Sequence, residues 1–384
     1  MRVNRPFVMA LLLAATACAL SVEVSAEDWP TLHRDAARSG VSAEPQLGPT
    51  LEVAWATTVD PESVDASPAV VQGRVYVGTA LGKVVCLAAE TGEKQWEAQT
   101  GGAVTSSPAV AEGKVFVGSS DRCLYGYDAQ TGKQLWRVRT RQPVVASPLY
   151  LEGFVYFGSM DGSFRCVRAA DGTEVWRARD QGPISAAAAA SGGLVYYGDE
   201  SGNLIARSCA DGKLSWSSKV SGGIVAAPLL AGDKLIVPVM SGTALSPPPT
   251  KCVLVVDRLN GTELWSLVKG SSVMHTPVTD GESVYFAIVS GYLSDTELLA
   301  HRLADGQEVW KRRLGGVADS SPLLSGQYLL FGNHDGNFYM VNASDGTVAQ
   351  TLPLGGKMFS SPALSGGRVY VGAQDGKVYC LKPR

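Results

Sequence analysis

"SSPAVAEGKVFVGSSDRCLYGYDAQTGKQLW", Ser106 to Trp136, reads as four short strands separated by turns. The chain spells almost the same thing 40 residues earlier, as "ASPAVVQGRVYVGTALGKVVCLAAETGEKQW". "SPAV" opens the unit, and its proline suits the beginning of a strand. "KVFVG" follows, alternating β-branched and aromatic residues. A third strand comes after a turn that in other copies is Asp161-Gly162 or Asp335-Gly336. The fourth ends at Trp after Thr91-Gly92, Thr131-Gly132, Asp171-Gly172, Asp211-Gly212 or Asn260-Gly261, where glycine supplies the positive φ of a tight hairpin. Four antiparallel strands per 40 residues, repeated in series, predict blades of a β-propeller.

The opening recurs at Ser67, Ser107, Ser147, Ser321 and Ser361, and in degraded form at Ala187, Ala227 and Thr276. The spacings are 40, 40, 40, 40, 49, 45 and 40 residues, so the fold class is all-β with eight blades. The last copy stops at Arg384 without a fourth strand. "LEVAW", Leu51 to Trp55, supplies one from the other end and should close the ring, removing an open sheet edge. Trp55, Trp96, Trp136, Trp176, Trp216, Trp265 and Trp310 then occupy one place in successive blades, where a large ring docks on the neighbouring blade. Blade seven has Gln350 there, which predicts a weaker contact with blade eight.

The chain divides into a signal peptide at 1–26, a lead segment at 27–50 and the propeller at 51–384. Arg2 and Arg5, the apolar run Phe7 to Leu20 and "VSA" before Glu27 form the three parts of a secretory signal. The alternative is lipidation at Cys18, which would tether the mature chain to a membrane. Either way the protein is expected to be exported, periplasmic or extracellular, with no membrane-spanning stretch in the mature chain. Removing the signal takes the net charge from −3 to about −4, without a basic block, which argues against nucleic acid as a partner. Six cysteines remain and allow 15 pairings. Cys86, Cys166 and Cys380 each fall 19 residues after their repeat's opening serine, the pattern of buried thiols filling a strand face. No CxxC pair occurs, so zinc is not expected.

The repeat "SSPAV-x-G-x-VYVGS-x-DG-x-LY-x-x-D-x-x-TGK-x-x-W" is similar to that of the quinoprotein-type (PQQ-like) propeller family, over Leu51 to Arg384. "DWPTLHRDAARSG", Asp28 to Gly40, resembles the lead of its exported members. The resemblance implies one of two functions: dehydrogenases that use pyrroloquinoline quinone and calcium, or non-catalytic propellers such as the outer-membrane protein assembly factor BamB. The dehydrogenases commonly stack the quinone on a disulfide of adjacent cysteines, and no Cys-Cys pair occurs here. Calcium wants several oxygen ligands, and no Asp-rich loop supplies them. Neither cofactor is therefore expected, nor any catalytic or metal site.

Residues just before each repeat start should line the central funnel. They are mostly small; the distinctive ones are Asp65, Thr105, Ser185, His275, Asp319 and Phe359, with Asp65, Thr105, His275, Asp319 and Phe359 the ligand candidates. Strand parity puts loops two and four of each blade on the face with the funnel mouth. The surplus residues of blades five and six fall there, and Leu245, Pro247, Pro248, Tyr292 and Leu293 are the candidate partner contacts. The expected function is a monomeric scaffold binding a protein partner in the cell envelope, with BamB-like work in outer-membrane protein assembly as its specific form. A funnel that binds a small ligand or carbohydrate and a reduced quinone-dependent dehydrogenase are the alternatives.

Overall fold

A computed structural model describes residues 27–44, 47–240, 251–269, 272–290 and 295–384; the expected signal peptide and Cys18 lie outside this range. Eight sheets of four antiparallel strands follow one another along the chain, each starting at a repeat opening. Blade one is Ala69–Val71, Arg74–Gly78, Lys83–Ala88 and Lys94–Gln99. Its middle strands are almost wholly buried, because neighbouring blades cover both faces, whereas the outermost alternates exposed and buried side chains. The eighth blade takes its outer strand from the N-terminal side. Leu51–Thr58 pairs antiparallel with Lys377–Pro383, from Leu51 opposite Pro383 to Thr58 opposite Lys377. Closure is therefore by main-chain hydrogen bonds between the two ends of the propeller.

The tryptophans sit at the interfaces between blades. The indole N–H of Trp96 donates to Ala129 O at 3.0 Å, that of Trp136 to Ala169 O at 3.1 Å and that of Trp310 to Ala343 O at 2.8 Å. Trp55, Trp176, Trp216 and Trp265 bond to the same place in their following blades. Each ring lies on the hairpin glycine of the next blade. A Cβ on Gly132, which has φ 71°, would stand 2.6 Å from Cε3 of Trp96. Glycine is thus required twice there, for the turn and for the ring.

At Gln350 the arrangement changes for a topological reason. Blade eight is made from two chain ends, so it has no outer hairpin to receive an indole. Gln350 instead clasps the closing strand: its Oε1 accepts from Leu51 N at 2.7 Å and its Nε2 donates to Leu51 O at 2.8 Å.

The lead runs along the inside of the ring, on the face opposite the funnel mouth. The innermost strands present N–H and C=O groups to the axis, and the lead pairs with them in blade order. Trp29 exchanges two hydrogen bonds with Val70. Val110, Ala190, Leu230 and Leu324 donate to Pro30, Ala36, Ala37 and Gly40. Val41–Ser42 adds a parallel strand to Leu323–Ser325. Glu44 finishes the circuit by accepting from the N–H groups of Gly366 and Gly367 at 2.6 and 2.7 Å. The expected boundary at residue 50 is therefore one of sequence pattern; the lead packs as part of the ring.

Candidate functional site

The repeat-opening serines form a belt around the axis. Ser67 N donates to Ser107 Oγ, Ser107 N to Ser147 Oγ, Thr276 N to Ser321 Oγ and Ser321 N to Ser361 Oγ, at 2.9 to 3.1 Å. Ser361 N donates to Ser67 Oγ at 2.8 Å, joining last blade to first. The belt breaks where the opening is alanine. The N–H groups of Ser147, Ala187 and Ala227 have no hydrogen-bond partner among the described residues.

Inside the belt is a cavity of about 170 Å³. The belt residues, Ser185, His275, Asp319 and Phe359 line it, and Leu32 of the lead is its floor. The channel is thus closed on one side by the lead. Of the sequence-derived candidates, His275, Asp319 and Phe359 come together here. Asp65 and Thr105 do not line the cavity. Asp65 is held at the rim by Ser63 and Gln374, and Thr105 is turned to solvent.

His275 is fully committed to the fold. Its Nε2 lies 3.0 Å from both N and O of Ala287, the position where Ser106 Oγ serves Gly118 N in blade two. Burial lowers its pKa below the ordinary histidine value, so it stays neutral in the core. His334, which reads in the sequence as a turn residue, packs its ring 4.3 Å from Phe359. Its Nε2 lies 3.0 Å from Asp319 Oδ2, though too poorly aligned for a hydrogen bond. Ser185 donates to Glu200 at 2.7 Å at the rim.

Two lead residues beneath the floor have no signal in the repeat pattern. His33 is buried, with Nδ1 3.3 Å from Arg38 O, and burial drives its pKa down to about 3. Arg38 is enclosed completely, and burial lowers its pKa to about 10, which leaves it charged at neutral pH. The only available clue was the tight "HRDAARSG" run, where His33, Arg34 and Arg38 take φ of 53°, 72° and 62°, uncommon for residues with a side chain.

Leu245, Pro247, Pro248, Tyr292 and Leu293 lie outside the described residues. Blade six itself is tall on this side: Ser283–Ser290, Asp295–Arg302 and Glu308–Gly315 are eight residues each, against five or six in the corresponding strands of blade one. The six cysteines are free thiols. Desolvation pushes those of Cys166 up to about 12 and of Cys209, Cys252 and Cys380 to about 11, which makes them poor nucleophiles. Among the described residues no three His, Cys, Asp or Glu side chains converge as a metal site would require, and no helix is long and apolar enough to cross a membrane.

A family model described as outer membrane protein assembly factor BamB matches residues 46–162, 160–315 and 294–383. A BamB of Marinobacter adhaerens is 30% identical over 95 residues, 24% of this chain and 23% of that protein. That alignment spans under a quarter of the relative's length. The BamB crystal structure from Moraxella catarrhalis superposes with a TM-score of 0.73 at 17% identity, covering 87% of this chain and all of the other. A europium-containing methanol dehydrogenase gives 0.74 at 15% identity over 93% of this chain and 98% of that one. At such identities the superpositions speak to the fold alone.

Proposed function

The chain belongs to the outer membrane protein assembly factor BamB family, and from that premise we propose that it is an exported, non-enzymatic scaffold for outer-membrane protein assembly in the cell envelope. The family match across nearly the whole ring carries the reading. A ring fastened by strand exchange, indole docking and an internal lead is rigid, and rigidity suits a surface that presents loops to a partner. The tall blade six, on the mouth side, is the surface assigned to that partner, together with the neighbouring insertion of blade five.

The funnel supports a non-enzymatic reading. A cavity of about 170 Å³ is small for a tricyclic quinone, and Phe359 is its single aromatic wall. Calcium takes six to eight oxygens, while the cavity offers one carboxylate, Asp319, already beside His334. Quinone and calcium do not fit these residues, so no chemical step is assigned to them.

The test is in-cell photo-crosslinking from Tyr292, with Gln72 on the opposite face as control. The expected result is capture of a barrel-assembly component from Tyr292 and not from Gln72. No capture from Tyr292, with crosslinking verified at another site, would overturn the assignment of this face. Dye reduction dependent on added quinone and calcium would overturn the non-enzymatic reading.

A further inference from the structure

Glu44 is a buried carboxylate with no side-chain cation to pair with. It is 9% exposed. Its oxygens accept from Gly366 N and Gly367 N at 2.6 and 2.7 Å and from Glu27 N at 2.8 Å. Among the described residues no lysine, arginine or histidine side chain bonds to it. Arg34 is already engaged, by the Glu27 carboxylate and by Val41 O at 2.8 Å. Burying a carboxylate is costly unless it is both hydrogen-bonded and paired. The one donor on Glu44 that can acquire a charge is Glu27 N. Glu27 directly follows "VSA", whose Val24 and Ala26 stand at the two positions a signal peptidase reads.

The same residue joins the two ends of the lead. Glu27 Oε2 accepts from Ala43 N at 3.0 Å and from Ser42 Oγ at 3.4 Å. Its side chain thus holds residues 42 and 43 while its nitrogen holds Glu44. The lead starts beneath blade one, where Trp29 meets Val70, and finishes beneath blade eight at Gly366 and Gly367. Those blades are neighbours, joined at the axis by Ser361 N and Ser67 Oγ. The circle made by the lead therefore closes at the seam where the ring itself closes.

We propose that cleavage between Ala26 and Glu27 creates the cation that Glu44 lacks, and that Glu44 with the N–H groups of Gly366 and Gly367 is the binding site for the α-ammonium of the mature chain. Hydrolysis breaks the bond between Ala26 C and Glu27 N and adds one water. The new carboxyl gives up a proton and the new amine takes one up. An α-amine ordinarily titrates near about 7.7–8.0, so it is charged at neutral pH, and a carboxylate 2.8 Å away favours that form further. The ion pair pins the start of the lead to its end, and both to blade eight. The uncleaved chain offers only a neutral N–H at this place. The inference rests on the exported reading of the chain and is independent of the partner bound by the outer face.

The first measurement is the intact mass and N-terminal sequence of the protein exported by cells that express the full chain. A start at Glu27 with a free amine is expected. The second is urea unfolding of two chains released from a cleavable N-terminal fusion, one starting at Glu27 and the other at Val24. The longer chain keeps the Glu27 N–H but carries its ammonium up to about 10 Å away. The chain from Glu27 should have an unfolding constant at least about tenfold smaller. With Glu44→Gln, which keeps the shape and removes the charge, that ratio should fall below about twofold. The same ratio in both backgrounds, or no difference between the two chains with Glu44 in place, would overturn the proposal. An exported chain that starts elsewhere, as with lipid on Cys18, would overturn it and leave the scaffold reading standing. A chain that stays uncleaved inside the cell would overturn both.

Discussion

Docking of each indole on the next blade's glycine can be separated from the turn geometry of that glycine with two substitutions in one blade. Gly113 and Gly132 have nearly the same backbone, φ 68° and 71°. A Cβ on Gly113 would meet nothing within 4 Å, whereas one on Gly132 would meet Trp96 Cε3 at 2.6 Å and Cδ2 at 2.7 Å. Gly113→Ala therefore carries only the left-handed penalty of about 1–2 kcal/mol, reduced by about 0.4–1 because alanine also restricts the unfolded chain. A net loss of about 1 kcal/mol follows. Gly132→Ala carries the same cost and must also move Trp96 by nearly 1 Å to reach an ordinary contact of about 3.5 Å. Trp96 is 9% exposed and its indole N–H is engaged with Ala129 O, so it has little room to yield. Overpacking adds about 1–3 kcal/mol and a strained indole hydrogen bond about 1 more. The expected loss is about 3–5 kcal/mol, read as the shift of the urea midpoint. In the Gly132→Ala background, Trp96→Phe should cost less than it does alone, because a smaller ring relieves the contact. Equal losses for the two alanines, or additive behaviour of the double variant, would refute the docking argument.

Gln350→Ala leaves the buried N–H and C=O of Leu51 without their side-chain partners. It should lower stability by about 2–4 kcal/mol and open the 51–58 strand to limited proteolysis first. Gln350→Trp should not rescue it, since blade eight offers no hairpin glycine. His33 sets an acid limit. Its folded pKa of about 3 lies below the unfolded value of 6.5, so the unfolded chain binds the extra proton between them. The protein is therefore fully stabilised above pH 6.5 and loses about 1.4 kcal/mol per pH unit from this group as pH falls towards 3. His33→Gln should flatten that part of a stability profile measured by urea unfolding; an unchanged slope would contradict the burial.

The blade count, the strand order within a blade and the pairing of a strand at Leu51 to Trp55 with the last blade are all legible in the chain, the strand's continuation to Thr58 being seen only in the fold. Each is a local pattern repeated, and a hairpin is decided within a few residues by its glycine and its alternation. The candidate site was only partly legible for the opposite reason. Asp65, Thr105, His275, Asp319 and Phe359 precede equivalent repeat starts, yet three reach the cavity and two do not, because pseudo-symmetry assigns a position in the blade and not the direction of a side chain.

What the sequence by itself determined was the repeating unit and that its two ends meet. Only the tertiary structure decided what fills the axis. The lead contacts five blades through main-chain bonds that carry no residue signature, and a sixth through the Glu44 carboxylate. Ser361 and Ser67 meet across 294 positions, Gln350 substitutes an amide clasp where the hairpin is interrupted, and Arg38 comes to rest on the Ala188 carbonyl, 150 positions away. The physical reason is one of range. Local chemistry sets hydrogen bonds between neighbours in the chain, whereas groups on the axis find their partners only after all eight blades have closed around it.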